Sequence, residues 1–234
     1  MKATFTFIDE LNDFLPHHRK NKTFSIEFEA HQSLKHLIES LGVPHTEFGR
    51  VLVNGNPGNP ANRLNEDDQV VIFPAQDAIL SEPRFILDNH LGQLATYLRM
   101  LGFDSLYRND FQDEELARVA GDDSRVLLTR DRRLLMRKTI SIGYCLHHTD
   151  PRSQAIEVLN RFKLFGLVKP FKRCLRCNSP LQGVSKEEIY DQLQPLTKIY
   201  YEEFHWCPSC NQVYWKGSHF ERMQQMISEM SAQP

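Results

Sequence analysis

The sequence predicts an α/β protein: a small parallel sheet with helices on both faces, preceded by a separate α+β unit and followed by a cysteine module. Residues 84–168 alternate short apolar runs with helical patterns four times, as successive strand–helix units do. Residues 1–76 contain several strand patterns but one short helix, and residues 169–225 contain two CxxC pairs. The chain therefore has three predicted domains, 1–76, 84–168 and 169–225.

The N-terminal unit has the element order of a β-grasp domain. The segments "KATFTFI" and "TFSIEF" alternate as strands, and Ser33 precedes a short helix that ends at Gly42. The strand "RVLVNG" runs into the turn pair Asn54-Gly55, and "QVVIFP" forms a last strand. The linker to the next domain is predicted at Ala75 to Arg84, which contains a proline and little periodicity.

The central domain is predicted from four strand–helix pairs. In order, the strands are "RFILD", "FDSLYRND", "RVLLTRD" and "ISIGYCLHHTD", and each precedes a helical pattern, the last being "PRSQAIEVLNRF". In a parallel sheet of this kind the functional crevice lies outside the carboxyl ends of the strands.

Acidic residues stand at these strand ends. Asp88, Asp131 and Asp150 each follow a strand, and Asp113 opens an intervening helix. Clustered carboxylates repel one another unless a cation lies between them, and hard oxygen ligands select Mg²⁺ or Mn²⁺. Asn89, beside Asp88, offers an amide oxygen of the same kind. A metal bound there would suit phosphodiester hydrolysis; the alternative is that each Asp caps a helix N-terminus.

Four cysteines predict a second metal site. Cys174 and Cys177 form "CLRC", and Cys207 and Cys210 form "CPSC". Two CxxC pairs can supply a closed four-sulfur shell for structural Zn²⁺, whereas a redox CxxC would not explain a second pair. Residues 169–225 are therefore predicted to form a zinc ribbon. A small helix is expected in the intervening "SKEEIYDQL". The fifth cysteine, Cys145, lies in an apolar strand and is expected to be a buried thiol.

Basic and aromatic residues indicate an RNA-binding surface. The basic run beside Asp131 would steer phosphates, and cations near aromatic rings in the cysteine module would hold stacked bases. The predicted RNA contacts are Arg130, Arg132, Arg133, Lys172, Arg173, Trp206 and Trp215. The alternatives are a solvated helix face for the arginines and ordinary core packing for the rings.

Several of these motifs resemble a known family. The segments "ILDNHLGQLATYLRMLGFDSLYRND", "DEELARVA", "RVLLTRDRRLLMRK", "FKRCLRCNSPL" and "YWKGSHFERM" resemble the Mut-seven C-terminal ribonuclease family, a branch of the PIN-like nucleases. The resemblance implies metal-dependent RNA cleavage. In it, Asp88 and Asp131 match the strand-end acids, and Asp113 matches the acid before the "EEL" helix, with Glu114 as a near substitute.

The N-terminal unit has a resemblance of its own. Its "LGVPHTEFGRVLVNGNP" and "LNEDDQVVIFP" are similar to ubiquitin-like sulfur-carrier proteins, which act through a terminal Gly-Gly. Residues after "QVVIFP" contain no Gly-Gly, so we expect a docking module for an unknown protein partner, or a substrate-guiding module, rather than sulfur transfer.

The charge distribution and the hydropathy of the chain restrict the kinds of partner and location that are expected. Residues 1–80 hold 11 acidic and 7 basic side chains, whereas residues 151–234 hold 8 acidic and 11 basic ones. The C-terminal part is therefore the better candidate for binding RNA, either single-stranded or tRNA-like. No apolar run reaches the roughly 18 residues of a membrane helix, and no secretion signal is recognised at the first residues. The expectation is a cytoplasmic metal-dependent ribonuclease; the alternative is a non-catalytic RNA-binding or adaptor protein.

Overall fold

The computed structural model describes residues 1–76 and 80–231. These residues form two compact units, each built from two separate stretches of chain. The first unit combines residues 1–76 with 112–145, and the second combines 80–111 with 146–231. The predicted linker, Ala75 to Arg84, includes residues 77–79, which lie outside the described residues. The division into three domains stays a prediction.

The secondary structure follows the predicted order. The strands are β1 (Lys2–Phe7), β2 (Phe24–Glu27), β3 (Phe48–Val53), β4 (Asn56–Pro57), β5 (Gln69–Pro74), β6 (Arg84–Leu87), β7 (Asp104–Tyr107), β8 (Val126–Thr129), β9 (Gly143–Cys145), β10 (Gln182–Val184), β11 (Phe204–Trp206) and β12 (Val213–Trp215). The helices are α1 (Leu34–Ser40), α2 (Gly92–Met100), α3 (Asp113–Asp122), α4 (Arg132–Leu135), α5 (Pro151–Arg161), α6 (Pro195–Tyr200) and α7 (Ser218–Ser231). Across the described residues, no helix is both long and apolar enough to cross a membrane.

The N-terminal part of the first unit has the predicted β-grasp arrangement. Its five strands lie in the order β2-β1-β5-β3-β4, with β1 antiparallel to β2 and parallel to β5. The Ser33 side chain caps α1 by accepting a hydrogen bond from the His36 N–H at 3.2 Å. Asn54 and Gly55 both have positive φ, as the predicted tight turn requires. A 3-10 helix at Asp9–Phe14 was not predicted.

The remainder of the first unit contributes a parallel strand pair and two helices. β8 pairs with β9 in the register Leu127↔Gly143 to Thr129↔Cys145. The side chains of β8 are buried throughout, as expected for a parallel strand covered on both faces. Helix α3 leads into β8, and the short α4 follows it. Cys145 is buried, as predicted.

The second unit contains another parallel pair, β6 with β7. Their register runs from Arg84↔Asp104 to Leu87↔Tyr107. Phe85, which is fully buried, packs edge-on against Phe103 and Phe162, with ring centroids 6.2 and 6.0 Å away. Helices α2 and α5 pack together in this unit. The sequence therefore folds into parallel strand–helix units as predicted, in both compact units.

The cysteine module forms an antiparallel sheet in the order β10-β11-β12. Its small apolar core consists of Ile189, Leu193, Phe204 and Val213. The helix expected in "SKEEIYDQL" was placed wrongly: that segment holds only a 3-10 turn, Tyr190–Gln192, and the α-helix α6 begins afterwards at Pro195. Proline suits the first position of a helix because its φ is already helical and it has no N–H to satisfy.

Candidate functional site

Asp88 follows strand β6, whose last three residues are buried, and does not cap a helix. It is partly buried, and its Oδ1 accepts a hydrogen bond from the Asn89 N–H at 2.6 Å. Helix α2 begins only at Gly92, and the residue before it, Leu91, makes no side-chain cap. The capping interpretation is therefore wrong for Asp88.

The side chain of Asn89 contains a buried hydrogen-bond acceptor for which the described residues supply no donor. Its side-chain Oδ1 has no hydrogen-bond partner among the described residues. Its backbone carbonyl is satisfied, because the Tyr107 hydroxyl donates to it at 2.8 Å. Buried polar atoms are nearly always paired, so an unpaired amide oxygen beside a carboxylate is a candidate cation ligand.

Asp131 caps helix α4. Its Oδ1 accepts from the Arg133 N–H at 2.8 Å, and its own N–H donates to Oγ1 of the buried Thr129 at 2.9 Å. The capping interpretation is confirmed here. An ionised carboxylate has two oxygens with about four lone-pair positions, so one capping bond leaves room for a cation.

Asp113 and Glu114 lie on α3 opposite an arginine. Asp113 is the first residue of the helix, and Gln112 precedes it without a side-chain cap, so capping is wrong for Asp113. Arg137 Nη2 donates to Glu114 Oε1 at 3.0 Å and lies 3.6 Å from Asp113 Oδ2. The hydrogen bond from Arg137 lowers the pKa of Glu114 below its ordinary value.

Asp150 caps helix α5, as the sequence indicated. Its Oδ2 accepts from the Ser153 N–H at 2.8 Å and from the Ser153 hydroxyl at 2.9 Å. Pro151 follows as the first helical residue. The backbone and side-chain hydrogen bonds from Ser153 lower the pKa of Asp150.

The four predicted cysteines converge on one point. Their sulfur atoms all lie within 4.8 Å of one another, with Cys174 Sγ 3.5 Å from Cys210 Sγ and Cys177 Sγ 3.3 Å from Cys207 Sγ. Within the described residues, the aspartates and glutamates form no comparable group of three. A closed shell of four sulfurs is the donor set of structural zinc, so these residues could hold that metal.

The surroundings of three of these cysteines shift the pKa of their thiols in different directions. Burial opposes ionisation of Cys177, but hydrogen bonds from Ser179 and the neighbouring sulfurs lower the pKa of its thiol to about 6. Burial raises the pKa of Cys207, and it raises that of Cys210 to about 12. A metal would bind all four cysteines as thiolates, so its binding would release protons from them.

Two side chains that the sequence did not single out, Arg99 and Asn178, support the first CxxC pair. Arg99, which is 4% exposed, donates through Nε to the Ser105 carbonyl and through Nη1 to the Leu175 and Arg176 carbonyls. Asn178 accepts from the Ser105 N–H at 2.9 Å and donates to Asp104 Oδ1 at 2.8 Å.

Tyr214 reaches the same pair from β12. Its hydroxyl lies 3.1 Å from Cys174 Sγ and accepts from the Leu175 N–H at 3.1 Å. Burial and the hydrogen bond to Cys174 raise the pKa of Tyr214. Tyr214 therefore ties the sheet of the module to its sulfur cluster.

The predicted RNA contacts in the first unit are exposed, but one of them, Arg132, is hydrogen-bonded to the N-terminal module. Arg130 and Arg133 have exposed side chains beside Asp131. Arg132 donates through Nη1 to the Phe14 carbonyl at 2.7 Å and through Nη2 to the Asp13 carbonyl at 3.2 Å, and its guanidinium lies over the Phe14 ring.

The predicted RNA contacts in the cysteine module also differ in exposure. Lys172 is exposed, whereas Arg173 pairs with Asp104 at 3.3 Å. Trp206 packs against the module's apolar core, which is the packing role left open for the rings. Trp215 is 36% exposed. Contact of these residues with RNA stays a prediction.

Two further contacts join residues 1–76 to residues 112–145 within the first unit. The buried Glu47 accepts a hydrogen bond from the Cys145 N–H at 2.6 Å. The ring of His45 lies between Glu39 Oε1 and the Ile140 carbonyl, at 2.8 Å from each. With Arg132, these residues attach the N-terminal module to the segment that carries Asp131.

Comparisons with known proteins agree with the motifs. The family model described as the Mut7-C RNAse domain matches residues 83–227, and the one described as Mut7-C ubiquitin matches residues 1–80. No curated protein matches the chain. One similar solved structure is SAMP1 from Haloferax volcanii, which is 13% identical and covers 32% of this chain and 96% of SAMP1; its TM-score of 0.27 is too low to support a conclusion. The chain belongs to the Mut7-C RNAse domain family and carries a Mut7-C ubiquitin domain at its N-terminus.

Proposed function

We propose that this protein is a PIN-like, metal-dependent ribonuclease that hydrolyses phosphodiester bonds of RNA. The family supports ribonuclease activity in general. The observation that carries the metal-dependent mechanism is the buried, unpaired Oδ1 of Asn89 directly beside Asp88. An amide oxygen and a carboxylate at the end of a buried strand are hard donors of the kind that Mg²⁺ and Mn²⁺ bind.

Asp88 is the proposed metal-binding carboxylate of the second unit, and Asp113 and Asp131 are the proposed metal-binding carboxylates of the first. When bound, Mg²⁺ or Mn²⁺ would polarise the phosphate and lower the pKa of a water nucleophile. The chain's own contribution is to orient the donors: Asp88 through the Asn89 N–H, and Asp131 through the bonds that fix it at the start of α4.

Two of the acids predicted from the sequence have weaker claims. Glu114 is paired with Arg137, and Asp150 is committed to Ser153, which gives each a structural partner. We therefore assign Asp150 to capping helix α5 and leave Glu114 as a partner of Arg137. Arg130 and Arg133, exposed beside Asp131, are the proposed phosphate contacts in the first unit.

Structural Zn²⁺ is the proposed occupant of the cysteine site. The four sulfurs lie within 4.8 Å of one another, and Tyr214 and the Arg99-bound carbonyls surround the first pair. Such a site would leave no open position for catalysis and would stabilise a module whose own core is small. For the ubiquitin-like module we propose protein docking; the cytoplasmic location stays a prediction.

A non-catalytic RNA-binding or adaptor protein is the second candidate. It is favoured by the structural roles of individual acids, because Asp131 and Asp150 both cap helices and Asp113 lies near Arg137. In that case the fold and the cysteine module would bind RNA, and the acids would serve the fold alone.

The deciding experiment is cleavage of labelled single-stranded and structured RNA with and without added Mn²⁺ or Mg²⁺. A chelator is avoided, because it would also remove metal from the cysteines. We expect Asp88→Asn and Asp131→Asn to abolish cleavage, and Asp150→Asn, the matched control, to leave it unchanged. Asparagine also caps helices well, so loss in Asp131→Asn would report the missing charge rather than a lost cap.

A further variant tests the carrying observation. Asn89→Ala should raise the Mn²⁺ concentration needed for half-maximal cleavage, because one oxygen donor is removed. If the native protein binds RNA without cutting it under any metal condition, or if both variants of the proposed ligands cut normally, the adaptor function takes the place of the nuclease.

A further inference from the structure

A small cavity opens on the cysteine module beside helix α7. Its volume is about 240 Å³, and its apolar lining includes Phe171, Leu181, Phe220 and Met223. The rings of Phe171 and Phe220 lie 4.6 Å apart. Pockets for drug-sized ligands are typically about 300–1,000 Å³, so this cavity is suited to one planar ring system rather than a large cofactor.

The lining also carries positive charge. It includes Lys172, Arg173 and Lys216 against a single acid, Glu203. Lys216 pairs with Glu203, and Arg173 pairs with Asp104. Lys172 is exposed and forms no ion pair in the part of the chain that the structure describes. One ammonium at the cavity is therefore available to an anionic ligand.

An indole completes the site, and its position is restricted by its neighbours. Trp215 lines the cavity, is 36% exposed, and has its ring centroid 6.5 Å from that of Tyr201. A Cβ added at Gly217 would lie 2.9 Å from the indole Nε1, so glycine at that position permits the close approach. The indole therefore lies against the Gly217 backbone and near Tyr201, and about a third of its surface is left exposed to a ligand.

We propose that this cavity binds an unpaired base of single-stranded RNA, with Lys172 contacting an adjacent phosphate. An aromatic lining accepts the flat face of any base, and the surplus of cations complements the RNA backbone. This proposal rests on RNA being the ligand of the protein, as under the proposed function, and it names the part of the RNA that the cysteine module recognises.

The first test measures how binding depends on salt. A short, fluorescently labelled single-stranded RNA is titrated with the full chain by anisotropy at several salt concentrations, without added Mg²⁺ or Mn²⁺. Lys172→Gln should lower the slope of log affinity against log salt by about 0.7, the value for one lost single-strand phosphate contact. Lys169→Gln, which changes the same charge on an exposed side chain outside the cavity, should leave the slope unchanged.

The second test measures base stacking. In a Trp206→Phe background Trp215 is the one remaining tryptophan, and RNA should quench its fluorescence. Trp215→Leu should weaken RNA binding by about 5- to 150-fold, the range for losing one stacked base. An abasic oligonucleotide of equal length, which keeps the phosphates, should compete poorly.

The outcomes separate this proposal from the proposed function. RNA binding that changes with Lys172 and Trp215 but leads to no cleavage would support the cavity and overturn the nuclease. Cleavage and RNA binding that are indifferent to both substitutions, or equal competition by the abasic strand, would overturn the base-binding cavity and leave the nuclease standing.

Discussion

Replacing Arg99 with methionine should loosen the first CxxC pair without touching a cysteine. The substitution keeps a long apolar side chain but leaves three carbonyls, those of Ser105, Leu175 and Arg176, without their guanidinium donor. The three bonds measure 2.9, 3.0 and 3.2 Å. A buried polar group left unsatisfied costs about 1–3 kcal/mol.

The expected net loss is smaller than the sum of three such terms. Burial lowers the pKa of Arg99, which reflects the cost of desolvating its charge, and methionine removes that cost. We therefore expect Arg99→Met to lower the free energy of unfolding by about 2–4 kcal/mol. Zinc loaded at the proposed cysteine site should also leave it faster, because Leu175 and Arg176, whose carbonyls Arg99 binds, lie between Cys174 and Cys177.

The assay is urea denaturation followed by tryptophan fluorescence, with metal release to a chromophoric chelator measured in parallel. Both tryptophans, Trp206 and Trp215, lie in the cysteine module, so the signal reports that module. Arg176→Met is the matched control, since it removes the same charge from an exposed neighbour. If Arg99→Met is as mild as the control in both measurements, the hydrogen bonds of Arg99 do not hold the CxxC pair.

Three further perturbations test other parts of the structure. Gly102→Ala should destabilise the protein by about 2–4 kcal/mol in thermal or urea unfolding, because φ is +97° and the new Cβ would lie 2.1 Å from the Lys169 carbonyl oxygen; a loss under about 0.5 kcal/mol would contradict this close approach. Glu47→Ala should speed hydrogen exchange of the Cys145 amide by about 5- to 150-fold, since a buried donor left without its acceptor costs about 1–3 kcal/mol; unchanged exchange would show that the bond is absent in solution. Asp150→Ala tests an ionised cap, because hydrogen bonds from Ser153 lower the pKa of the native carboxyl on folding. The stabilisation that this carboxylate gives is present above its ordinary pKa of 3.8 and is lost as the pH falls through the lower folded pKa. The Tm difference between the variant and the native protein should therefore be full at neutral pH and vanish in acid, and a pH-independent difference would refute an ionised cap.

The β-grasp strands could be predicted because one face of each lies against a core. In "KATFTF" the residues Ala3, Phe5 and Phe7 are buried, while the alternate positions are more exposed. The 3-10 helix at Asp9–Phe14 shows no such alternation. It has only six residues, which is too short for a repeating apolar pattern to appear in the sequence. Strand β4 has only two residues and carries no pattern at all.

At the candidate sites, local signals were predictable and distant partners were not. The CxxC spacing identified the sulfur cluster because each pair is local in sequence. The role of Arg99 could not be predicted, because its carbonyl acceptors at Leu175 and Arg176 lie 76 and 77 residues away in the sequence. The Asp residues illustrate the same limit: Asp131 and Asp150 are caps, whereas Asp88 and Asp113 occupy similar sequence positions without capping.

The attachment of the ubiquitin-like module has a consequence for how this architecture can be rearranged. Glu47 and Arg132 bond to residues 98 and 118 positions away, so the first unit is complete only when both of its chain segments are present. The boundary between the two family matches, near residue 80, is therefore not a position at which the chain can be cut or recombined without loss of these contacts. A chimaera that exchanges the N-terminal module for that of a relative must also bring compatible partners for Phe14, His45 and Glu47. The two chain segments of the first unit are therefore expected to have diverged together rather than independently.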